Sequence, residues 1–328
     1  RLDQDEGPNW DEGQEIEDDR LRLIFTCCHP MLPPEARVAL TLREVCGLTT
    51  EAIAHAFLTG PATLAQRIVR AKAKIRDAGI PYRVPEPAEL GERLDTVLRV
   101  IYLVYTEGYA PSSGEALVRS DLSTEAIRLG RLLHQLLPEP EVKGLLALML
   151  IHESRRETRT DAAGDIVLLE NQDRSRWHQR AIEEGSGLII ESLSTGRHGP
   201  YTVQAAISAV HAESPSFEET DWAELVALYD VLLGMQPGPI VELNRAAAIA
   251  FRDDADEGLR LMRPLVGDGP LDGYAPAHNA IASLCMRMAR YDEAELAYRR
   301  SLDLTRPGTE RRFIEARLNE IASMRTAS

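Results

Sequence analysis

Glycine and proline residues divide this chain into segments with helical spacing, and that feature most limits its fold. Between the breaks, apolar residues recur three and four positions apart, and alternation of β-branched residues is confined to short runs such as residues 165–168. Alanine, leucine, glutamate and arginine dominate the segments, and all four favour helices. The pattern predicts an all-α protein of about fifteen helices. With 328 residues, the chain exceeds one core of about 150 residues, so we expect several domains.

The net charge of −15 is distributed unevenly along the chain. Residues 1–20 hold nine acidic and two basic side chains, a net charge of −7, and residues 21–83 hold nine basic and four acidic side chains, a net charge of +5. Residues 84–328 therefore carry −13. An acidic protein is an unusual nucleic-acid binder because phosphate contacts depend on lysine and arginine. The basic segment removes that objection locally.

The composition excludes several classes of protein. No stretch approaches the roughly 18 apolar residues of a membrane span, and the first twenty residues lack the apolar core of a signal peptide. The four cysteines are too few and too irregularly spaced for a disulfide framework. We expect a cytoplasmic protein with no membrane partner.

The basic segment predicts four helices, at residues 19–28, 34–46, 50–57 and 61–77. The third is short, and a turn containing Gly60 separates it from a longer helix whose first residue is Pro61. Leu64, Ile68, Ala71 and Ile75 form one apolar stripe on that last helix. This order predicts a helix-turn-helix with its recognition helix last.

Polar and basic residues occupy the other faces of the recognition helix. The candidate DNA-binding residues are Thr63, Gln66, Arg67, Arg70, Lys72, Lys74 and Arg76. The first turn of the helix can bind a phosphate, the middle residues can reach base edges, and the later cations can meet the backbone. A helical hairpin with a solvated basic face is the alternative.

Residues 40–57 and 62–75 resemble region 4 of sigma-70 family factors of the extracytoplasmic-function type. The resemblance implies that the segment recognises the −35 promoter element and binds the β flap of core RNA polymerase. It implies that Thr63, Gln66, Arg67 and Arg70 face the groove, with Lys72 and Lys74 near phosphates. Two positions depart from the family pattern, because Ala52 stands where many members have glutamate and Ala65 replaces a frequently basic residue.

The flanking segments 19–30 and 78–85 resemble the group of these sigma factors that has a large C-terminal helical extension. The implied organisation is an acidic linker at 1–18, region 4 at 19–83, a helical domain of unassigned function at 90–198 and tetratricopeptide-like repeats at 201–328. No segment resembles region 2, so we expect a piece of a longer protein. The extension is expected either to contact the polymerase or to hold region 4 in check, the latter through an intramolecular contact between its acidic surface and the basic helix.

The middle segment combines aromatic and charged residues. It has no zinc-protease spacing around His152, no nucleophile motif and no nucleotide fingerprint, so we expect neither an enzyme nor a bound metal or cofactor. Two alternatives remain, an ion-pair network between helices and a pocket for a small anionic ligand or peptide. The pocket would make the protein a one-component transcription regulator that senses this ligand. The candidate residues are Glu107, Tyr109, Arg119, His152, Arg155, Asp173, Arg174 and Trp177.

The last third of the chain contains a repeat. Similar segments begin at Asn244 and Asn279, 35 residues apart, near the tetratricopeptide period of about 34. Such repeats stack into an array whose concave face binds a peptide or another domain. Asn244 and Asn279 are candidates for that face, and packing of the repeats on the middle domain is the alternative.

Overall fold

The computed structural model describes residues 12–57, 59–109, 120–305 and 308–327. These residues form fifteen α-helices joined by turns and short 3-10 segments, and no strand occurs among them. One isolated bridge, between Thr160 and Ile166, is the sole β-type pairing in the described ranges. The predicted all-α fold is confirmed. The chain divides into two compact units, residues 1–113 with 119–138 and residues 114–118 with 139–328.

Six helices build the first unit. They are α1 (Glu12–Cys27), α2 (Pro34–Leu40), α3 (Thr50–Ala56), α4 (Pro61–Asp77), α5 (Pro87–Tyr109) and α6 (Ser120–Leu136). Helices α2 and α3 pack against α4, and α1 packs against α5 and α6. The unit's core includes Ile24, Phe25 and Leu42, each fully buried.

The observed boundaries follow the predicted breaks, with two differences. Helix α4 begins and ends where the sequence predicts, but α2 stops at Leu40 and continues as a π-helical turn, Thr41–Val45. In this turn the amide of Cys46 donates a hydrogen bond of 3.1 Å to the carbonyl of Thr41, five residues earlier. Gly47 then ends the segment with φ of +72°. Helix α1 begins at residue 12, so residues 12–18 of the expected linker are helical.

Nine helices build the second unit. They are α7 (Pro140–Ser154), α8 (Gln179–Ser194), α9 (Pro200–Glu213), α10 (Trp222–Met235), α11 (Pro239–Arg252), α12 (Ala255–Met262), α13 (Ala275–Arg287), α14 (Tyr291–Leu304) and α15 (Thr309–Ala327). Helix α7 is buried among its neighbours and packs on both α8 and α9. Three 3-10 turns, Arg156–Thr158, Leu169–Asn171 and Arg174–Arg176, lie in the connection from α7 to α8.

Two features fix the packing of α7 on α9. A Cβ on Gly144 of α7 would lie 2.5 Å from the amide nitrogen of Thr202 in α9. The side chain of Glu141, three residues earlier, accepts hydrogen bonds from the amides of Gly199 and Tyr201, both at 2.9 Å. Glu141 therefore caps the N-terminus of α9 from the neighbouring helix.

The remaining helices of the second unit share two apolar clusters. Residues of α9, α10 and α11 form one cluster, and residues of α11 to α15 form the other. The 201–328 segment lies wholly in this unit, whereas the 90–198 segment is divided because α5 and α6 pack in the first unit. None of the helices in the described ranges combines the length and apolarity needed to span a bilayer.

Candidate functional site

The helix-turn-helix consists of α3, a turn and α4. Thr49 begins α3 by accepting a hydrogen bond from the amide of Ala52 at 3.0 Å, so the threonine caps the helix without the glutamate partner of a full capping box. Gly60 has extended backbone angles before α4, and Pro61 occupies the first helical position. Ile53 of α3 and Leu64 of α4 are both buried. This packing sets the angle at which α4 leaves the turn.

One side of α4 faces an open groove of about 350 Å³. The groove is lined by Pro33, Glu35 and Ala36 at the start of α2 and by Thr63, Gln66, Arg67, Arg70, Ala71 and Lys74 of α4. Five of the seven predicted DNA-binding residues therefore share one surface. Three cations face a single carboxylate, Glu35, which leaves this surface positive.

The cations of the groove are available to a ligand. Arg70 and Lys74 are exposed and Arg67 is half-buried. In the part of the chain that the structure describes, none of these three forms an ion pair with a carboxylate. The major groove of DNA is about 12 Å wide and admits one helix. Arginines without a carboxylate partner on such a helix can contact base edges.

The other two predicted residues lie elsewhere on α4. Lys72 Nζ is 2.8 Å from Glu44 Oε1 in the π-helical turn, and Arg76 Nε is 3.0 Å from Asp77 Oδ1. At about 100° per residue, position 72 lies about half a turn around the helix from the groove. The structure thus divides the predicted set into five residues at the groove and two residues paired outside it.

The candidate ligand residues of the middle segment do not form one group. Glu107 and Tyr109 belong to α5 of the first unit, and Arg119 lies outside the described residues. His152, Arg155, Arg174 and Trp177 belong to the second unit. Asp173 is exposed and caps the 3-10 turn Arg174–Arg176 by accepting hydrogen bonds from Ser175.

Arg174 connects this turn to the end of α9, and Trp177 connects it to Thr158. Arg174 Nη1 donates to the carbonyls of His211 and Ser214, the latter at 2.7 Å, and the guanidinium lies 5.1 Å from the centre of the Trp177 ring. Trp177 is buried, and its Nε1 donates to the Thr158 hydroxyl at 2.9 Å. The arginine therefore satisfies carbonyls that the helix leaves open.

Two histidines lie near these arginines. His152 Nε2 is 2.9 Å from the hydroxyl of Ser208. Burial lowers the pKa of His152 to about 3, with a smaller contribution from the charge of Arg155. Burial, together with the smaller effect of the charges of Arg155 and Arg174, lowers the pKa of His211 to about 4. Both imidazoles are neutral at pH 7.

The predicted ion-pair network is not what holds the two arginines. Arg155 Nη1 donates to the neutral Gln172 Oε1 at 3.3 Å, and among the described residues neither Arg155 nor Arg174 has a carboxylate at ion-pair distance. His211 was not among the residues predicted from the sequence, and it lies 56 residues from Arg155 in the chain. Its one local signal is the spacing of three from Ser208, which places both on one face of α9.

The repeat asparagines occupy different environments. Asn244 of α11 is exposed, whereas Asn279 of α13 is half-buried and its Oδ1 has no hydrogen-bond partner among the described residues. The two asparagines occupy equivalent positions in the repeat, but they differ in exposure and in hydrogen bonding.

A helix-turn-helix whose groove is lined by cations without carboxylate partners is typical of DNA-binding proteins. Residues 22–75 match the family described as sigma-70, region 4, and residues 93–193 match a family of unknown function, DUF6596. An uncharacterized protein of Rhizobium meliloti (strain 1021) is 43% identical over 313 residues, which cover 95% of this chain and 74% of that protein. The chain carries a sigma-70 region 4 domain and belongs to the same family as the Rhizobium meliloti protein. The domain supports a sigma-factor-like role in transcription, with DNA and RNA polymerase as partners.

Proposed function

We propose that this protein is an alternative sigma factor of the extracytoplasmic-function type whose α4 recognises the −35 promoter element. This proposal is supported by one observation. A single groove is lined by Thr63, Gln66, Arg67, Arg70 and Lys74. Arg67 and Arg70 have the bidentate donors that select guanine, and Gln66 has the amide that pairs with adenine. Thr63 lies in the first turn, where a hydroxyl and free amides bind phosphate.

The proposed second partner is the β flap of core RNA polymerase. This assignment is supported by the sigma-70 region 4 domain of the first unit, which spans residues 22–75. Binding of the flap brings the promoter-reading helix to the polymerase, so the protein acts by recruitment rather than by bond chemistry.

We propose that the helices after region 4 regulate it. The net charge of −13 on residues 84–328 is complementary to the +5 of residues 21–83. An acidic surface of the extension that contacts Arg67, Arg70 and Lys74 would compete with phosphate for the same cations. The tetratricopeptide-like repeats, with Asn244 and Asn279, are the proposed contact face for region 4 or for a peptide of another protein.

Selection from a random duplex DNA library tests promoter recognition. We expect the full chain to enrich one motif, and we expect Arg67→Ala to lose preference at one position of it, at a cost of about 1–3 kcal/mol for that base pair. Arg76→Ala is the matched control, because Arg76 is an exposed arginine of α4 that pairs with Asp77. Absence of any enriched motif, or the same loss in both variants, would contradict the proposed readout.

Zero-length carbodiimide cross-linking tests the regulatory contact, because the chain has only three lysines, Lys72, Lys74 and Lys143. We expect Lys74 to cross-link to acidic residues of the second unit in the free protein and to lose those cross-links when DNA is added. Cross-links from Lys74 that stay within residues 12–138 would refute the intramolecular contact while leaving the promoter proposal intact.

A further inference from the structure

The second unit contains a group of half-buried cationic and imidazole side chains that the proposed promoter function does not use. We propose that Arg155, Arg174 and His211 form a binding site for a doubly charged oxyanion of the phosphate type. This inference concerns the second unit and is independent of DNA recognition by α4.

Arg174 has an unused donor in this group. Its Nη1 is fully engaged with the carbonyls at the end of α9, but its Nη2 is buried and has no hydrogen-bond partner among the described residues. A buried charged donor without a partner is costly, because it has lost water and gained nothing in exchange. An anion beside Nη2 removes that cost.

Arg155 adds a second uncompensated charge. Its Nη1 donates to the neutral amide oxygen of Gln172 at 3.3 Å, a long bond. The carboxylate that influences Arg174 is that of Glu218, which is exposed and lies beyond ion-pair distance. Within the described residues, the two half-buried guanidinium groups therefore have no carboxylate at ion-pair distance.

His211 completes the group, because Arg174 Nη1 donates to its carbonyl. Arg155 is tied to the same cluster through Gln172, whose Oε1 also accepts from Thr158, and Thr158 accepts from Trp177 beneath Arg174. The charges of Arg155 and Arg174 both lower the pKa of His211, in agreement with these contacts. Its Nδ1 is buried and has no partner in the described ranges. The ring is held edge-on against Trp222, with 5.6 Å between ring centres. This contact fixes the ring orientation.

The charge and donor geometry of the group select the ligand class. Two unpaired guanidinium groups are balanced by a charge of −2, which phosphate approaches near pH 7. A tetrahedral oxyanion has enough oxygens to accept from Arg155, Arg174 and His211 at once. The Trp177 ring packs against Arg174 and the α9 carbonyls hold it, so the site is largely positioned before a ligand enters.

Inorganic phosphate is the first probe, added to the full chain in chloride buffer of matched ionic strength. We expect saturable binding by calorimetry and a rise in the melting temperature that added sodium chloride does not reproduce. Arg155→Gln should weaken binding at least tenfold. Arg176→Gln, which removes an exposed arginine of the neighbouring 3-10 turn, should bind like the parent protein.

A second measurement separates binding from folding. The histidine resonances of the full chain should report a rise of at least one unit in the pKa of His211 when phosphate is bound, because the anion offsets the field of the two arginines. Arg174 is not varied, since its loss would also free the end of α9.

Glycerol 3-phosphate forms a second arm that distinguishes a phosphate monoester from the free ion. Tighter binding of one of the two identifies the source of the ligand and supports the site. Failure of both to bind, binding that Arg155→Gln leaves unchanged, or an unshifted His211 would overturn the proposal.

Discussion

Lys72 Nζ lies 2.8 Å from Glu44 Oε1, on the side of α4 that faces away from the groove. Lys74, two residues further along the same helix, lines the groove. Two lysines that look equivalent in the sequence therefore have different surroundings, and this difference gives the first prediction.

Lys74→Ala should reduce the slope of log DNA affinity against log salt concentration by about one, because one phosphate contact is lost. Lys72→Ala removes the same charge but should leave the slope closer to that of the parent protein. Fluorescence anisotropy with the selected duplex across a potassium chloride series measures both slopes. Equal reductions would show that Lys72 contacts DNA as well.

Leu64 lies on the inner face of the recognition helix and is 1% exposed, whereas Val69 on the same helix is 65% exposed. Leu64→Ala should lower the free energy of unfolding of the first unit by about 2–5 kcal/mol, through lost burial and the cavity left behind. Val69→Ala should change it by less than about 0.5 kcal/mol. Urea denaturation followed by circular dichroism tests the pair, and similar losses would argue against the observed orientation of α4.

Gly144→Ala should destabilise the second unit by about 1–3 kcal/mol, because the added methyl would overlap the Thr202 backbone. Gly187→Ala is the matched control, since Gly187 lies inside α8 and has no atom within 4 Å of the added position. That change should be neutral or stabilising by about 0.4–1 kcal/mol. Thermal unfolding compares the two, and a neutral Gly144→Ala would contradict the close contact of α7 and α9.

The pKa of His152 predicts how stability depends on pH. Burial holds this pKa at about 3 in the folded chain, below its ordinary value of about 6.5, so between these values the unfolded chain binds a proton that the folded chain does not. Stability due to His152 is therefore complete above about pH 6.5 and is lost as the pH falls.

His152→Gln removes this titration and retains a polar group for Ser208. Between pH 7 and pH 5 the parent protein should lose up to about 2 kcal/mol more stability than the variant. Urea denaturation at both pH values measures the loss, and between pH 7 and pH 9 the difference between the two proteins should stay constant. An identical acid dependence would mean that His152 is protonated in the folded chain.

Helix α4 shows how much of the fold and candidate site the sequence predicts. Its boundaries, its buried Leu64 and Ile68, and the common side of Gln66 and Arg70 all follow from a proline at the start and from helical periodicity. These features depend on neighbours within one or two turns, which the sequence displays directly.

Contacts between distant segments were not predictable in the same way. The pairing of Lys72 with Glu44 depends on how the turn after α2 packs, and the bond from Arg174 to the His211 carbonyl depends on the connection from α7 to α8 meeting the end of α9. Neither contact has a local pattern. The sequence therefore displays the residue types of the second unit but not which of them lie together.

The π-helical turn Thr41–Val45 bears on how relatives of this protein can differ in length. It accommodates one more residue than an α-helical turn, and Gly47 follows it directly. Deleting one residue there would return the turn to α-helical form and leave the segments on either side in nearly the same orientation, because a π-helical turn absorbs one extra residue. The deletion would change which side chain of the turn lies opposite Lys72, the position that Glu44 now holds. This turn is therefore a position where the domain can gain or lose a residue, and change the charge beside the recognition helix, while α2 and α4 keep their buried faces.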